Sequence, residues 1–141
     1  MTLYLDTSVL VAALTNGPKT MPVQTWLAEQ EAGDLAISEW VAIEFSAALS
    51  IKLRSRRIDA AYRAGALAAF ARMREDDLTV LPVSALQFRT AARFADQHEG
   101  GLHAGDALHL AICADHGATL CTLDHRLGEL GVALGVKTTL L

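Results

Sequence analysis

The segment Thr2-Leu3-Tyr4-Leu5-Asp6-Thr7-Ser8 contains a short apolar run that ends in a carboxylate and two hydroxyls. Its apolar part is typical of a buried β-strand, and the apolar residues 8–14 that follow are typical of a short helix capped by Thr7 or Ser8. Asp6 is therefore predicted to lie where a strand gives way to a helix. In an open α/β sheet, this point faces the ligand crevice at the carboxyl ends of the strands. The segment thus predicts the fold class and one wall of a binding site.

Beyond this segment, short apolar runs alternate with longer stretches of helical periodicity. We predict strands at residues 35–37, 78–81, 119–122 and 136–139, and helices at about residues 20–31, 39–54, 59–74, 85–97, 104–116 and 126–130. Short strands that alternate with helices form a parallel sheet covered on both faces. Because no repeat or linker interrupts the pattern, residues 1–141 are predicted to form a single α/β domain.

The composition limits the possible functions. Hydrophobic residues make up 52% of the chain and the mean hydropathy is +0.28, which excludes disorder. The first apolar run is too short for a signal peptide or a membrane span, and Cys113 and Cys121 form no CxxC motif. We therefore expect a cytoplasmic protein with reduced core cysteines and no membrane contact. The formal net charge of −4 argues against coating nucleic acid through bulk positive charge, but not against handling it locally through a metal ion.

Glu44 lies in a helical segment whose neighbours on the same face are apolar. These neighbours are Trp40, Val41, Ala47, Ala48 and Ile51. A carboxylate in such a stripe is expected to point into the core, where an unpaired charge costs several kcal/mol. A metal ion or a cationic partner must then compensate the charge. The alternative to a metal is an ion pair with an arginine such as Arg89 or Arg93.

Two further acids lie at the ends of predicted elements. Asp106 begins a helix that is apolar nearly all round and therefore buried, so its first turn is expected at the edge of the sheet. Asp124 directly follows the fourth strand, as Asp6 follows the first. Each has a structural alternative, which is helix-dipole complementation for Asp106 and a helix N-cap for Asp124. Taken as a set, the four acids are predicted to converge on one crevice.

Clustered carboxylates point to a divalent cation, because closely packed acids cannot all ionise without a counter-charge. Hard oxygen ligands without a Cys or His cluster favour Mg²⁺ or Mn²⁺ over Zn²⁺. Such an ion activates a water and neutralises the charge that develops on a scissile phosphate. The predicted catalytic metal ligands are Asp6, Glu44, Asp106 and Asp124. Thr7, Ser8 and Thr122 are candidates for hydrogen bonds to these carboxylates, and each is alternatively a turn or cap hydroxyl.

Several segments resemble the PIN-domain ribonucleases, and most of all the stand-alone toxins of VapBC-type toxin–antitoxin modules. They are Leu5-Asp6-Thr7-Ser8, Ile43-Glu44-Phe45, Gly105-Asp106-Ala107-Leu108-His109-Leu110-Ala111 and Thr122-Leu123-Asp124-His125-Arg126-Leu127, followed by a tail through Leu134-Gly135-Val136. The resemblance covers essentially the whole chain, with the four acids in the family's order and at its spacings.

The resemblance implies a PIN-like three-layer fold with a five-stranded parallel sheet of order 3-2-1-4-5. In that order, Asp6 and Asp124 would flank the point where the strand order reverses. It also implies the toxin of a type II toxin–antitoxin system, a Mg²⁺- or Mn²⁺-dependent endoribonuclease that cuts RNA of the tRNA or rRNA class. A homodimer and neutralisation by a cognate antitoxin are implied as well.

The chain departs from the family pattern around the third acid. His103-Ala104-Gly105 precedes Asp106, where members often carry a basic or small residue, and the fourth acidic position varies in the family. His103 is expected either to contact the RNA or to lie in a loop. His109, one turn after Asp106, either approaches the metal or is a packed, hydrogen-bonded histidine.

The only basic run lies at the C-terminal end of the Glu44 helix. It consists of Lys52, Arg54, Arg56 and Arg57. Arg54 lies roughly 15 Å past Glu44 along a helix, which suits phosphates that flank a cleavage site. The alternative is complementation of the helix C-terminus. Arg126 is expected to steady the substrate or to pair with an acid.

Two functions of other classes stay open. A phospho-acceptor receiver needs an Asp at the end of a central strand and a Lys near the last one, which Asp6 and Lys137 match crudely, but Leu81-Pro82 leaves the third strand without an acid. The other is the same fold with an inactive site that only binds a partner. Labelling by a small phosphodonor would identify a receiver, and a lack of carboxylate-dependent metal binding would identify an inactive site.

Overall fold

The computed structural model describes residues 1–141, which form a five-stranded sheet and seven α-helices. The strands are β1 (Leu3–Leu5), β2 (Leu35–Ser38), β3 (Thr79–Leu81), β4 (Thr119–Thr122) and β5 (Thr138–Leu140). The helices are α1 (Thr7–Leu14), α2 (Thr20–Ala28), α3 (Glu39–Arg54), α4 (Ala60–Asp76), α5 (Ala85–Ala95), α6 (Ala104–His116) and α7 (His125–Ala133), with a 3₁₀ turn at His98–Gly100. None of these helices combines the length and the hydropathy needed to cross a membrane.

The sheet is entirely parallel, with strand order β3-β2-β1-β4-β5. The predicted fold class and strand order are therefore confirmed. The chain leaves β1 toward β2 on one side and returns to β4 on the other, where Leu5 pairs with Cys121. Such a reversal of strand order opens a crevice at the carboxyl ends of the two strands. Asp6 and the residues that follow Thr122 flank this crevice.

The centre of the molecule is buried on both faces of the sheet. Tyr4 and Leu5 of β1 are fully buried, and α6 is buried from Ala107 to Cys113. Neither element shows an alternation of polar and apolar residues, because both are covered on all sides. Cys113 and Cys121 are free and buried, and burial raises the pKa of both thiols, that of Cys121 to about 12. They are core residues that form no disulfide, as predicted.

The structure places several element boundaries differently from the sequence pattern. α1 begins at Thr7 because Asp6 is its N-cap and accepts from the backbone N–H of Val9, so the prediction of Thr7 or Ser8 as the cap is wrong. α7 is longer than the predicted turn and ends before Gly135, which has a φ of +82°. The backbone N–H of Val136 donates back to the carbonyl of Gly131 at 2.8 Å, and β5 therefore starts only at Thr138.

Candidate active site

Asp6 lies at the carboxyl end of β1 with a side chain that is held from three directions. Oδ1 accepts hydrogen bonds from Ser8 Oγ at 2.5 Å and from the backbone N–H of Val9 at 3.2 Å. Oδ2 accepts a hydrogen bond from Thr122 Oγ1 at 2.5 Å. The residue is only 4% exposed, and a buried carboxylate without such donors would be costly. The fold therefore fixes the orientation of Asp6 at the crevice.

The hydroxyls that bind Asp6 also position the loop that carries Asp124. Ser8 Oγ accepts from the backbone N–H of Leu123 at 3.0 Å, and Thr122 Oγ1 accepts from the backbone N–H of Asp124 at 3.0 Å. Each hydroxyl thus donates to Asp6 and accepts from the connection between β4 and α7. This double link fixes Asp124 relative to Asp6.

Asp124 is the N-cap of α7 and is exposed. Its Oδ1 accepts from the backbone N–H groups of Arg126 at 3.0 Å and Leu127 at 3.2 Å. The N-cap alternative considered from the sequence is therefore realised. No hydrogen bond occupies its Oδ2, so this oxygen is available to a cation in the crevice.

Glu44 lies at the border of the buried face of α3. That face consists of Val41, Phe45 and Leu49, whereas Ile51 is 55% exposed. The prediction that the stripe around Glu44 faces the core is therefore wrong over its C-terminal half, where the helix turns its other apolar side inward. The Glu44 side chain is 31% exposed and reaches the crevice from the edge of the core.

All hydrogen bonds of the Glu44 side chain are made by one of its two carboxylate oxygens. Oε1 accepts from Thr7 Oγ1 at 2.8 Å and lies 2.5 Å from Nε2 of His109. Burial raises the pKa of the Glu44 carboxyl, but the hydrogen bond and charge of His109 and the Thr7 hydroxyl together hold it below its usual range. Glu44 is thus held as a carboxylate by His109 rather than by Arg89 or Arg93.

A buried hydrogen-bonded chain continues from His109 into the core. The hydroxyl of Tyr4 lies 2.8 Å from Nδ1 of His109 and 2.7 Å from Oγ of Ser38. Burial raises the pKa of the Tyr4 phenol, which therefore keeps its proton. His109 is 2% exposed, and both of its ring nitrogens have partners. Of the two roles considered for His109, the structure realises the packed, hydrogen-bonded histidine.

Asp106 occupies the first turn of α6. Burial raises the pKa of its carboxyl, the imidazole of His109 opposes this effect, and the charges of Asp124 and Glu44 add to it. Nδ1 of the exposed His103 lies 3.9 Å from Oδ2 of Asp106. Burial therefore outweighs the two histidines in setting the pKa of Asp106, and the charges of two other predicted ligands add to the effect of burial.

Gly105 provides open space beside the free oxygen of Glu44. A Cβ at this position would stand 2.8 Å from Oε2 of Glu44 and 3.1 Å from Nε1 of Trp40. The Trp40 Nε1 atom is itself buried and has no hydrogen-bond partner. The absence of a side chain at Gly105 therefore keeps Oε2 of Glu44 accessible from α6.

The structure brings the predicted hydroxyls to the carboxylates but does not preassemble a ligand cluster. Thr7 contacts Glu44, and Ser8 and Thr122 contact Asp6. No group of three or more His, Cys, Asp or Glu side chains lies close enough together to hold a metal ion. The free oxygens of Glu44 and Asp124 and the raised pKa of Asp106 nevertheless fit a hard divalent cation.

The predicted basic residues lie outside this group of acids. Arg54, Arg56 and Arg57 are exposed at the end of α3, and Arg56 adopts a left-handed conformation with a φ of +59°. Arg126 pairs with no acid, because its Nη2 donates to the carbonyl oxygens of Gly100 and Gly101. The expected ion pair of Arg126 with an acid is therefore not found.

Sequence reasoning did not single out Tyr4, Ser38, Trp40 or Gly105 as parts of this site. A signal existed for Tyr4, because a phenol in a fully buried strand needs a hydrogen-bond partner. The positions of Ser38, Trp40 and Gly105 depend on which helix faces lie opposite each other. No local pattern encodes that relationship.

Comparison with known proteins assigns the fold to a family. The model of the PIN domain family matches residues 3–133, and the chain therefore belongs to the PIN-domain family. No curated protein sequence matches it.

Solved structures with the same fold are distant in sequence. Mycobacterium tuberculosis VapC20, a sarcin-ricin loop cleaving toxin, is 19% identical over 92% of this chain and 95% of its own, with a TM-score of 0.74. VapBC2 of Rickettsia felis, bound to a DNA fragment from its promoter, is 18% identical over 100% and 99%, with a TM-score of 0.69. PAE2754 of Pyrobaculum aerophilum is 23% identical over 98% and 90%, with a TM-score of 0.70.

Proposed function

We propose that this chain is the toxin of a type II toxin–antitoxin system, an endoribonuclease that depends on Mg²⁺ or Mn²⁺. The observation that carries the proposal is the relationship among the acids. Asp6 and the Asp124 loop share two hydroxyl bridges, and the charges of Asp124 and Glu44 reach Asp106. Membership of the PIN-domain family and the similar fold of VapC20, a sarcin-ricin loop cleaving toxin, support the same conclusion.

The four acids are the proposed metal ligands. They are Asp6, Glu44, Asp106 and Asp124. A divalent ion bound to them would activate a water and stabilise the charge on a scissile phosphate. Thr7 and His109 restrain Oε1 of Glu44 and leave Oε2 without a hydrogen bond, while Ser8 and Thr122 keep Asp6 in place. Hydrogen-bonded neighbours of this kind orient ligands before the ion binds.

The proposal extends to the partners of the chain. The solved structures of similar fold include VapBC-1 from Haemophilus influenzae and a toxin–antitoxin complex from Klebsiella pneumoniae. We therefore expect a cognate antitoxin, a homodimer and a substrate of the tRNA or rRNA class, in the cytoplasm. Exposed apolar side chains on α3 and α5, such as Ile43 at 59% and Phe88 at 54%, suit protein contacts.

The test uses the full chain with total RNA in MgCl₂, in MnCl₂ and in EDTA, and sequences the cut ends. Wild type should cut at defined positions with either metal and not in EDTA. Asp6→Asn should abolish cleavage, whereas Asp96→Asn, the same change at an exposed C-cap, should not. Circular dichroism would confirm that both variants fold. Cleavage by a folded Asp6→Asn variant, or cleavage that EDTA leaves unchanged, would contradict the proposal.

A further inference from the structure

A cleft of 480 Å³ opens directly beside the acidic site. Thr7 and Ser8 line it on one side, and their hydroxyls also bind Glu44 and Asp6. Leu123, which precedes Asp124, lines it as well. Thr7 and Ser8 therefore connect the lining of this cleft to the acidic site.

The charge in the cleft is opposite to that of the acidic site. Its lining contains Lys19 and Lys52 and no Asp or Glu. Neither lysine forms an ion pair, in a chain with a formal net charge of −4. Two unpaired ammonium groups beside neutral hydroxyl and amide groups attract an anion rather than a cation or an apolar ligand.

Lys52 differs from the arginines that follow it in the same basic run. It is half-buried and lines the cleft, whereas Arg54, Arg56 and Arg57 are exposed and do not line it. Of the basic run, only Lys52 therefore contributes to the cleft.

We propose that this cleft binds the sugar–phosphate backbone of the RNA strand on one side of the scissile bond, with Lys19 and Lys52 contacting its phosphates. This inference rests on the proposed ribonuclease function and adds the path of the substrate. Lysine contacts to phosphates supply affinity without reading the base sequence. Asn16, which also lines the cleft, has a side chain without a protein partner and is placed to contact the same strand.

The experiment uses three cleft variants, which are Lys19→Gln, Lys52→Gln and the double variant that combines them. The control is Lys137→Gln. Lys137 is an exposed lysine just before β5, at the amino ends of the strands and away from the acidic site. All three single variants change the net charge equally, so only the position of the lost charge differs. The readouts are kcat and KM on an RNA that wild type cuts, and the salt dependence of binding to a fluorescein-labelled RNA of that sequence in EDTA.

We expect each cleft variant to raise KM about fivefold while kcat stays within about twofold of wild type. For a single-stranded RNA, the slope of log affinity against log salt should become shallower by about 0.7 for each lost phosphate contact. Lys52→Arg should restore both values, and Lys137→Gln should match wild type. Unchanged KM and salt slope in the folded double variant would overturn the cleft assignment but leave the ribonuclease function standing. If wild type cuts no RNA, the proposed function fails and the cleft assignment fails with it.

Discussion

Nε2 of His109 lies 2.5 Å from Oε1 of Glu44, although the two residues are 65 positions apart. This contact joins the middle of α3 to the middle of α6 and passes through His109 to the buried Tyr4 hydroxyl. It places a neutralising group beside the carboxylate without covering Oε2. Glu44 can therefore remain charged at the edge of the core before any cation binds.

His109→Ala is expected to lower the free energy of unfolding by about 2 kcal/mol, because it leaves the Tyr4 hydroxyl and Oε1 of Glu44 without their shared partner. Cleavage should fall as well, since Glu44 loses a restraint on its orientation. Urea denaturation and single-turnover cleavage provide the two measurements. His98→Ala, at an exposed position in the 3₁₀ turn, is the matched control and should be near neutral. Equal stability of the two variants would show that the contact contributes nothing.

Glu44 and Asp106 are expected to respond oppositely to pH in EDTA. The folded-state pKa of Glu44 is lowered, so its ionisation stabilises the protein above its ordinary pKa of 4.5, and this contribution is lost as the pH falls through the folded value. Glu44→Gln should therefore be less stable than wild type at pH 7, and this difference in stability should be smaller at pH 3. The folded-state pKa of Asp106 is raised, so its ionisation is unfavourable above that value.

Asp106→Asn should accordingly raise the Tm at pH 7 in EDTA by roughly 2 °C, with the gain vanishing below the ordinary pKa of 3.8. In Mg²⁺ the order should reverse, because a bound ion stabilises only the protein that retains its ligands. Scanning calorimetry between pH 3 and pH 7, with and without Mg²⁺, measures both effects. A Tm of Asp106→Asn below that of wild type at pH 7 in EDTA would contradict the raised pKa.

Gly105→Ala is expected to reduce cleavage by about tenfold or more, because its Cβ would stand 2.8 Å from Oε2 of Glu44 and displace that carboxylate. The fold should persist, since alanine suits the first turn of a helix. Gly65→Ala is the matched control, as Gly65 lies inside α4 with no atom within 4 Å of its Cβ position. That variant should gain about 0.5–1 kcal/mol of stability and keep full activity. Wild-type cleavage by Gly105→Ala would show that the space beside Glu44 is not needed.

Gly101→Ala is expected to reproduce the effect of Arg126→Gln on metal-dependent cleavage. Nη2 of Arg126 donates to the carbonyls of Gly100 and Gly101, and a Cβ on Gly101 would stand 2.5 Å from that nitrogen. Either change should release the turn that leads into α6 and raise the Mg²⁺ concentration for half-maximal cleavage. Gly117→Ala controls for backbone strain, because its φ of +63° matches the +62° of Gly101 and its Cβ meets no atom.

In a double-mutant cycle, Gly101→Ala and Arg126→Gln should be non-additive, because both break the same contact. Additive effects, or an effect of Arg126→Gln on the salt slope of RNA binding alone, would instead assign Arg126 to a direct phosphate contact. Titration of cleavage with Mg²⁺ at fixed RNA separates these outcomes.

The sequence by itself determined the alternation of strands and helices, the parallel sheet and the positions of Asp6 and Asp124 at strand ends. These features depend on local periodicity and capping, which neighbouring residues encode. The same local reasoning was wrong about the face of α3 around Glu44. A helix with two apolar sides, such as α3 with Phe45 on one and Ile51 on the other, does not specify which side the core will cover.

Only the tertiary structure decided which groups meet. The hydroxyl of Thr122 reaches Asp6 across 116 positions, and His109 rather than an arginine compensates Glu44. The pairing of β1 with β4 brings Thr122 to Asp6, and the tertiary positions of α3 and α6 bring His109 to Glu44. Each contact depends on distances that no stretch of sequence contains. The amino-acid pattern thus supplied the acids, while the packing of distant elements determined how each carboxylate is oriented and which of its oxygens remain free.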